Sequence, residues 1–369
     1  MKEALKNIKK NKIAMFKFRV IDWKYVNISF FPDYLKNNKL DLLKYKKKYI
    51  NKINIRKKVF LDIKNNFQKN LILSKEIDNL IEKIEFCKDV YDVEANKIDN
   101  KYKISKLPDY DFYSYKFYWI NKNELEQINY LPEIKNYNIF FDKQELIKLI
   151  DKVLVFFPEL RIIFSNVPNF VYNSWKIYIP DKEKYSIQEI IVIFFHELSH
   201  YIRWYNMQKN LWFVYAFSDN YELEEWIALY NEYFYWNQII DYWNYYPYYH
   251  KVYNILMQDI SKEDKLEQMY EILKYKGFSK EKTYNYFLRF YRFTPIGWND
   301  FLLKEAIYYN SYKNILNLIN GWVELDYLMS MKWGIESIDY FLKWKKIKNV
   351  NYKKYFETMV KEIKKIKLV

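Results

Sequence analysis

Two of the three histidines in the chain lie four residues apart, in His196-Glu197-Leu198-Ser199-His200. On an α-helix such positions differ by roughly 40° in direction and about 6 Å in rise, so both imidazoles can reach one metal ion. Glu197 projects roughly 100° away from His196, which suits a base beside the metal better than a ligand. H-E-x-x-H on an apolar helix is the pattern of zinc hydrolases that use the glutamate as general base. Two ligands do not hold a catalytic Zn2+; a third is needed, with a fourth position left for water. His250 sits in Tyr248-Tyr249-His250, outside any ligand pattern. Glu225 is the better third ligand, because Ala228 three positions later would let its helix approach closely. The expected chemistry is hydrolysis, with zinc activating water and Glu197 taking its proton. The alternative is a helix whose two histidines and glutamate make structural polar contacts without metal.

The flanking elements are legible in outline. Ser186-Ile187-Gln188-Glu189 has capping-box spacing and predicts a helix start at Ser186, ahead of the apolar run Ile190 to Phe195. Asp219 to Glu222 gives a second capping box, opening a helix over about 220–240 that carries Glu224, Glu225 and Ala228. Upstream, Asp142 and Glu145 cap a helix that Pro158 follows. Leu160 to Phe164 and Phe170 to Ile179 read as strands, and Trp175 to Ile179 alternates like an exposed or edge strand closed by Pro180. Helix, short sheet, then the H-E-x-x-H helix is the order of a zincin's upper lobe, where an edge strand can pair with an extended peptide. Beyond residue 240 the chain reads as helical, with Gly277 a helix stop and Ser279, Ser311 and Ser337 helix starts. Residues 1–105 read as a mostly helical region, with helical spacing over Leu40 to Lys48 and Lys58 to Phe86 and an extended stretch near Phe16 to Phe31. Turn residues near Lys106 to Phe112 mark its end. The expected fold is therefore α+β and predominantly helical: an N-terminal region over 1–105 and a zincin-like domain over 106–369.

The chain of 369 residues is half hydrophobic and unusually aromatic, with 40 Tyr, 27 Phe and 12 Trp against 4 Gly. That composition supplies a sizeable core. The net charge of +15 favours acidic partners such as nucleic acid, an anionic surface or an acidic polypeptide. A single cysteine, Cys87, excludes an internal disulfide and a cysteine zinc site, and fits a reducing compartment. No run approaches the roughly 18–20 apolar residues of a membrane helix, and Met1 to Lys12 lacks the apolar core of a signal peptide. An intracellular, cytoplasmic location is expected.

His196-Glu197, His200, Arg203 and Asn206 resemble the "HE…H-x-x-R-x-x-N" block of the tubulin tyrosine carboxypeptidase family, whose bacterial members are the QEGLA-motif proteins. Glu224-Glu225-Trp226-Ile227-Ala228-Leu229-Tyr230-Asn231-Glu232 resembles that family's "(Q/E)-E-G-L-A-x-Y-x-E". Arg289 to Arg292 resembles its R-x-x-R element, and Phe301 to Tyr308 its F-x-K-D-x-x-Y element. Three positions depart from the pattern: the family has three residues between the Glu and the second His, Trp226 stands for Gly, and Glu305 for Asp. The resemblance implies a zinc carboxypeptidase with His196, His200 and Glu225 as ligands and Glu197 as base. Such an enzyme needs a cation for the terminal carboxylate; Arg289 and Arg292 are the candidates, with Lys304 and Arg203 behind them. Tyr308 is a candidate donor to the oxyanion. The basic charge suits an acidic C-terminal tail as polypeptide substrate. The rival reading is a catalytically inactive zincin-fold protein whose basic, aromatic surface holds nucleic acid or a large assembly.

Overall fold

The computed structural model describes residues 2–11, 54–91, 109–111, 116–118, 138–167, 170–173, 175–211, 214–217, 220–239, 245–256, 258, 260–274, 278–291, 311–321, 323–332, 334, 338 and 352–367. These are predominantly helical, with short strands in three small sheets. None of the described helices is long and apolar enough to cross a membrane. By its contacts the chain forms two compact units, one from Met1–Ile134 and Asn244–Tyr309, the other from Lys135–Trp243 and Asn310–Val369. Both units are discontinuous in sequence, whereas the partition at residue 105 read from the turn residues follows chain order.

In the first unit, the helical spacing over Lys58 to Phe86 resolves into two helices, 54–66 and Leu71–Tyr91. Asn70 makes the break: its side chain accepts from the Leu73 N–H at 3.2 Å, as an N-cap does. Helices Tyr245–Leu256, Lys262–Leu273 and Lys280–Tyr291 follow. Ser279 starts the last of these by accepting from Lys282 N at 3.1 Å. The stretches 16–31 and 40–48, Gly277 and Ser337 lie outside the described residues.

The second unit opens with β1 (Phe140–Asp142) and α1 (Lys143–Phe156). A three-stranded sheet follows, made of β2 (Arg161–Ser165), β3 (Val171–Asn173) and β4 (Lys176–Pro180). Next come β5 (Lys184–Ser186) and α2 (Ile187–Ile191), which continues through a π-helical segment, Val192–Glu197, into α3 (Leu198–Leu211). The unit is completed by α4 (Asn220–Ile239), α5 (Ser311–Gly321), the single turn α6 (Leu325–Leu328) and α7 (Tyr352–Lys367).

Two of the three expected capping boxes form, those at Asp142 and Ser186; Asp219 of the third lies outside the described residues. Asp142 and Glu145 exchange side-chain and backbone bonds at the start of α1, and Ser186 and Glu189 do the same at α2. The antiparallel pair β1/β5 aligns Phe140 with Ser186 and Asp142 with Lys184, so the two helix starts are tied to one ribbon. In the sheet, β4 is central, parallel to β2 and antiparallel to β3. Trp175 to Ile179 is therefore not an edge strand. Its alternation reflects one buried face, with Ile177 and Ile179 fully covered. The neighbouring edge is β3, which the sequence reading had merged with β4.

The helix through α2 and α3 is central to the unit's core. Ile187, Ile190, Ile191, Ile193, Phe194, Phe195, Leu198, Tyr201 and Ile202 are fully buried, so it is apolar nearly all round, as a core helix is. It packs against α4 and α7, and α7 packs on α1. Phe157, Tyr201 and Tyr355 form an edge-on aromatic cluster with centroids 5.2–5.4 Å apart where these helices meet.

Candidate metal centre

His196 and Glu197 end the π-helical segment and His200 lies in the first turn of α3. Single π turns concentrate at functional sites because the wider ladder re-aims side chains and releases carbonyls. Side chains take up two carbonyls here. The Tyr355 hydroxyl of α7 donates to Phe194 O at 3.2 Å, and Ser199 Oγ donates to Phe195 O at 2.5 Å. Asn231 Nδ2 of α4 in turn donates to Ser199 Oγ at 2.9 Å, which ties the two site-bearing helices together. A regular α-helix was expected here; apolar periodicity does not distinguish the two over six residues.

The structure brings His196, His200 and Glu225 together, with one ligand-type atom from each within 4.8 Å of the others. Glu225 Oε2 lies 3.5 Å from His196 Nε2 and 3.9 Å from His200 Nε2. The Nδ1 atoms face the other way. His196 Nδ1 donates to Glu232 Oε2 at 3.0 Å and His200 Nδ1 to Glu224 Oε1 at 3.2 Å. A carboxylate can only accept, so each contact fixes a proton on Nδ1 and leaves Nε2 as the atom aimed at Glu225. Carboxylate–histidine pairs of this kind orient metal-ligating imidazoles in metalloproteins. Glu197 is half-buried, with no hydrogen bond or salt bridge to any described residue.

The residues present fit a divalent cation. Two imidazole nitrogens and a carboxylate oxygen are a donor set that catalytic zinc sites use, a fourth position being left for water. Glu224 pairs with two buried cations, Arg203 and Lys332, while Glu225 and Glu232 each approach a histidine ring nitrogen. Burial works against a charge on His196, but its bonds to Glu225 and Glu232 outweigh this and raise its pKa well above the ordinary value. An ion bound at Nε2 would compete with a proton there.

Arg203, one of the expected candidates for a substrate carboxylate, lies inside the fold. It is fully buried, and its guanidinium donates to Glu224 Oε2 at 2.9 Å, to Asn220 Oδ1 at 3.2 Å, and to the carbonyls of Leu328 and Met331 at 3.0 and 2.8 Å. Asn206, one turn on, donates to Met329 O at 2.9 Å. The H-x-x-R-x-x-N block is thus one face of α3 that grips the turn after α6. Burial of Glu224 is opposed by Lys332, Arg203 and His200, which together hold its carboxyl well below the usual range.

Sequence reasoning assigned no role to Glu224, Glu232, Lys332 or Tyr172. Glu224 and Glu232 lay inside the block resembling (Q/E)-E-G-L-A-x-Y-x-E, and that was their signal. Tyr172, on the edge strand β3, stacks its ring on His200 at 5.9 Å and 23°. Burial raises the pKa of its phenol well above the ordinary value, and its hydroxyl has no hydrogen-bond partner among the described residues. Of the other predicted residues, Arg289 lies on helix Lys280–Tyr291 of the first unit with its side chain outside the description. Arg292, Lys304 and Tyr308 also lie outside the described residues, as do Asp219 and the side chain of Glu222. Comparison with family models, curated proteins and solved structures finds no match to this chain.

Proposed function

We propose that this chain is a zinc-dependent metallopeptidase with a zincin-like catalytic unit, acting as a carboxypeptidase on an acidic polypeptide. The observation that carries the reading is the convergence of His196, His200 and Glu225 within 4.8 Å, with both Nδ1 atoms held by carboxylates. His196, His200 and Glu225 would hold the metal, which when bound activates a water and polarises a carbonyl. Glu197 has no other engagement among the described residues, and in this reading it accepts a proton and returns it to the leaving amine. Glu224 and Glu232 hold the two rings in one tautomer, and Tyr172 covers a face of His200 and excludes water from it. The carboxypeptidase specificity rests on the resemblance to the tubulin tyrosine carboxypeptidase family in the His200-Arg203-Asn206 and Glu225-Ala228-Tyr230-Glu232 positions. The same resemblance, through Arg289 to Arg292 and Phe301 to Tyr308, is what offers Arg289, Arg292 and Lys304 for the terminal carboxylate.

The test is turnover of peptides with acidic C-terminal tails by the wild type and by Glu197→Gln, with zinc content measured alongside. Glu197→Gln should retain zinc and lose activity by at least about 100-fold, the usual scale for a general base. Retained activity removes Glu197 as base. Peptides amidated at the C-terminus should be resistant; cleavage at the same rate as free ones would make the protein an endopeptidase.

A further inference from the structure

We propose that Lys332 is a positioning residue of the metal centre: acting through Glu224, it holds His200 in the orientation that leaves Nε2 free for an ion. The inference rests on the metal reading above and adds to the site a segment more than a hundred residues further along the chain.

The division of labour at Glu224 carries it. Oε2 is taken by Arg203 Nη1 at 2.9 Å and Asn220 Nδ2 at 2.8 Å. Oε1 receives His200 Nδ1 at 3.2 Å and, on a short contact, Lys332 Nζ. The oxygen that reaches the histidine is therefore the one that Lys332 holds. Arg203 is bound to the opposite oxygen, and its other N–H groups are used on Asn220 and the turn carbonyls.

Lys332 is itself well fixed. Its side chain is nine-tenths buried and follows directly on the turn that Arg203 and Asn206 grip through the Leu328, Met329 and Met331 carbonyls. Its ammonium lies 5.5 Å from the centre of the Tyr172 ring, the ring stacked on His200. A buried ammonium requires a counter-charge, and Glu224 supplies it. The other histidine lacks this backing, since among the described residues no Lys or Arg pairs with Glu232. Glu224, Glu225 and Glu232 all lie on α4, and of the two carboxylates that hold the imidazoles Glu224 is the one whose histidine-facing oxygen also takes Lys332 from the turn after α6.

The experiment is a cobalt(II) titration of the metal-free full-length protein, followed by the visible absorption of the bound ion, with melting temperatures measured in parallel. Lys332→Met is expected to weaken cobalt binding by about 10- to 100-fold and to alter the absorption band, as loss of an outer partner of a ligand does. Lys332→Arg should recover most of the loss. Combined with Glu224→Gln, Lys332→Met should add no further loss, because the lysine acts through that carboxylate. Asp142→Ala, which removes the capping box at the start of α1, should leave cobalt affinity unchanged even if it lowers the melting temperature. Should Lys332→Met fail to fold, Lys332→Gln, which keeps a neutral donor, must show the weakened binding. Unchanged affinity on loss of Lys332, or fully additive losses in the double variant, overturns the proposal. Absence of cobalt binding by the wild type would instead overturn the metal reading on which it rests.

Discussion

Arg203→Met separates a substrate-binding arginine from a buried one. The substitution keeps an unbranched side chain of similar reach and removes the charge and every donor. In the folded protein it leaves the carbonyls of Leu328 and Met331 and the Asn220 amide oxygen without their buried partner. It also removes one of the two cations beside Glu224. Breaking a buried ion pair from one side costs about 3–5 kcal/mol, and each orphaned buried acceptor about 1–3 kcal/mol. Lys332 still faces Glu224, so the ion-pair cost is not added in full, and three orphaned acceptors near the low end of their range give a loss of about 3–5 kcal/mol. For a unit of about 170 residues, where 1 kcal/mol shifts the melting temperature by roughly 2–4 °C, this predicts a fall of roughly 6–20 °C. The assay is thermal unfolding by near-ultraviolet circular dichroism in excess chelator, so that lost metal does not contribute. A melting temperature within about 2 °C of wild type, together with a raised KM for free-ended peptides, would refute the buried clamp and return Arg203 to the substrate.

Two further predictions follow from the same geometry. His196 has its pKa raised in the metal-free protein, against the effect of burial, by Glu225 and Glu232; its protonation therefore stabilises the metal-free fold fully below about pH 6.5 and progressively less as the pH rises through the raised value. Zinc uptake at pH 7 should accordingly release about one proton, read by calorimetry in buffers of different ionisation heat, and affinity should climb with pH; uptake without proton release would contradict this. Tyr355→Phe removes the hydroxyl that satisfies Phe194 O and should cost about 1–3 kcal/mol in thermal unfolding, with a wild-type value showing that the π-helical segment does not need it.

Local signals carried much of the site into the sequence. The capping boxes at Asp142 and Ser186 depend on residues three apart, and they fixed the starts of α1 and α2. His196 and His200 share a helix, and Glu225 was reachable from the small Ala228 nearby. What failed was long-range. Arg203 and Asn206 look like functional polar residues until the turn at Leu328–Met331, more than a hundred residues on, is seen to consume their donors. Lys332 is 108 residues from Glu224, and no local pattern announces such a pair. Trp175 to Ile179 had the right alternation but the wrong place, because one buried face looks the same in a central strand as in an edge strand. The π-helical segment was invisible because its apolar residues are buried all round, which leaves no polar stripe to reveal a change of pitch.

The central claim is that His196, His200 and Glu225 hold a catalytic metal. Zinc retained per chain after loading and gel filtration of the full-length protein tests it most directly. About one zinc per chain is predicted for the wild type, falling to background in Glu225→Gln. A wild-type protein that retains no zinc would contradict the account.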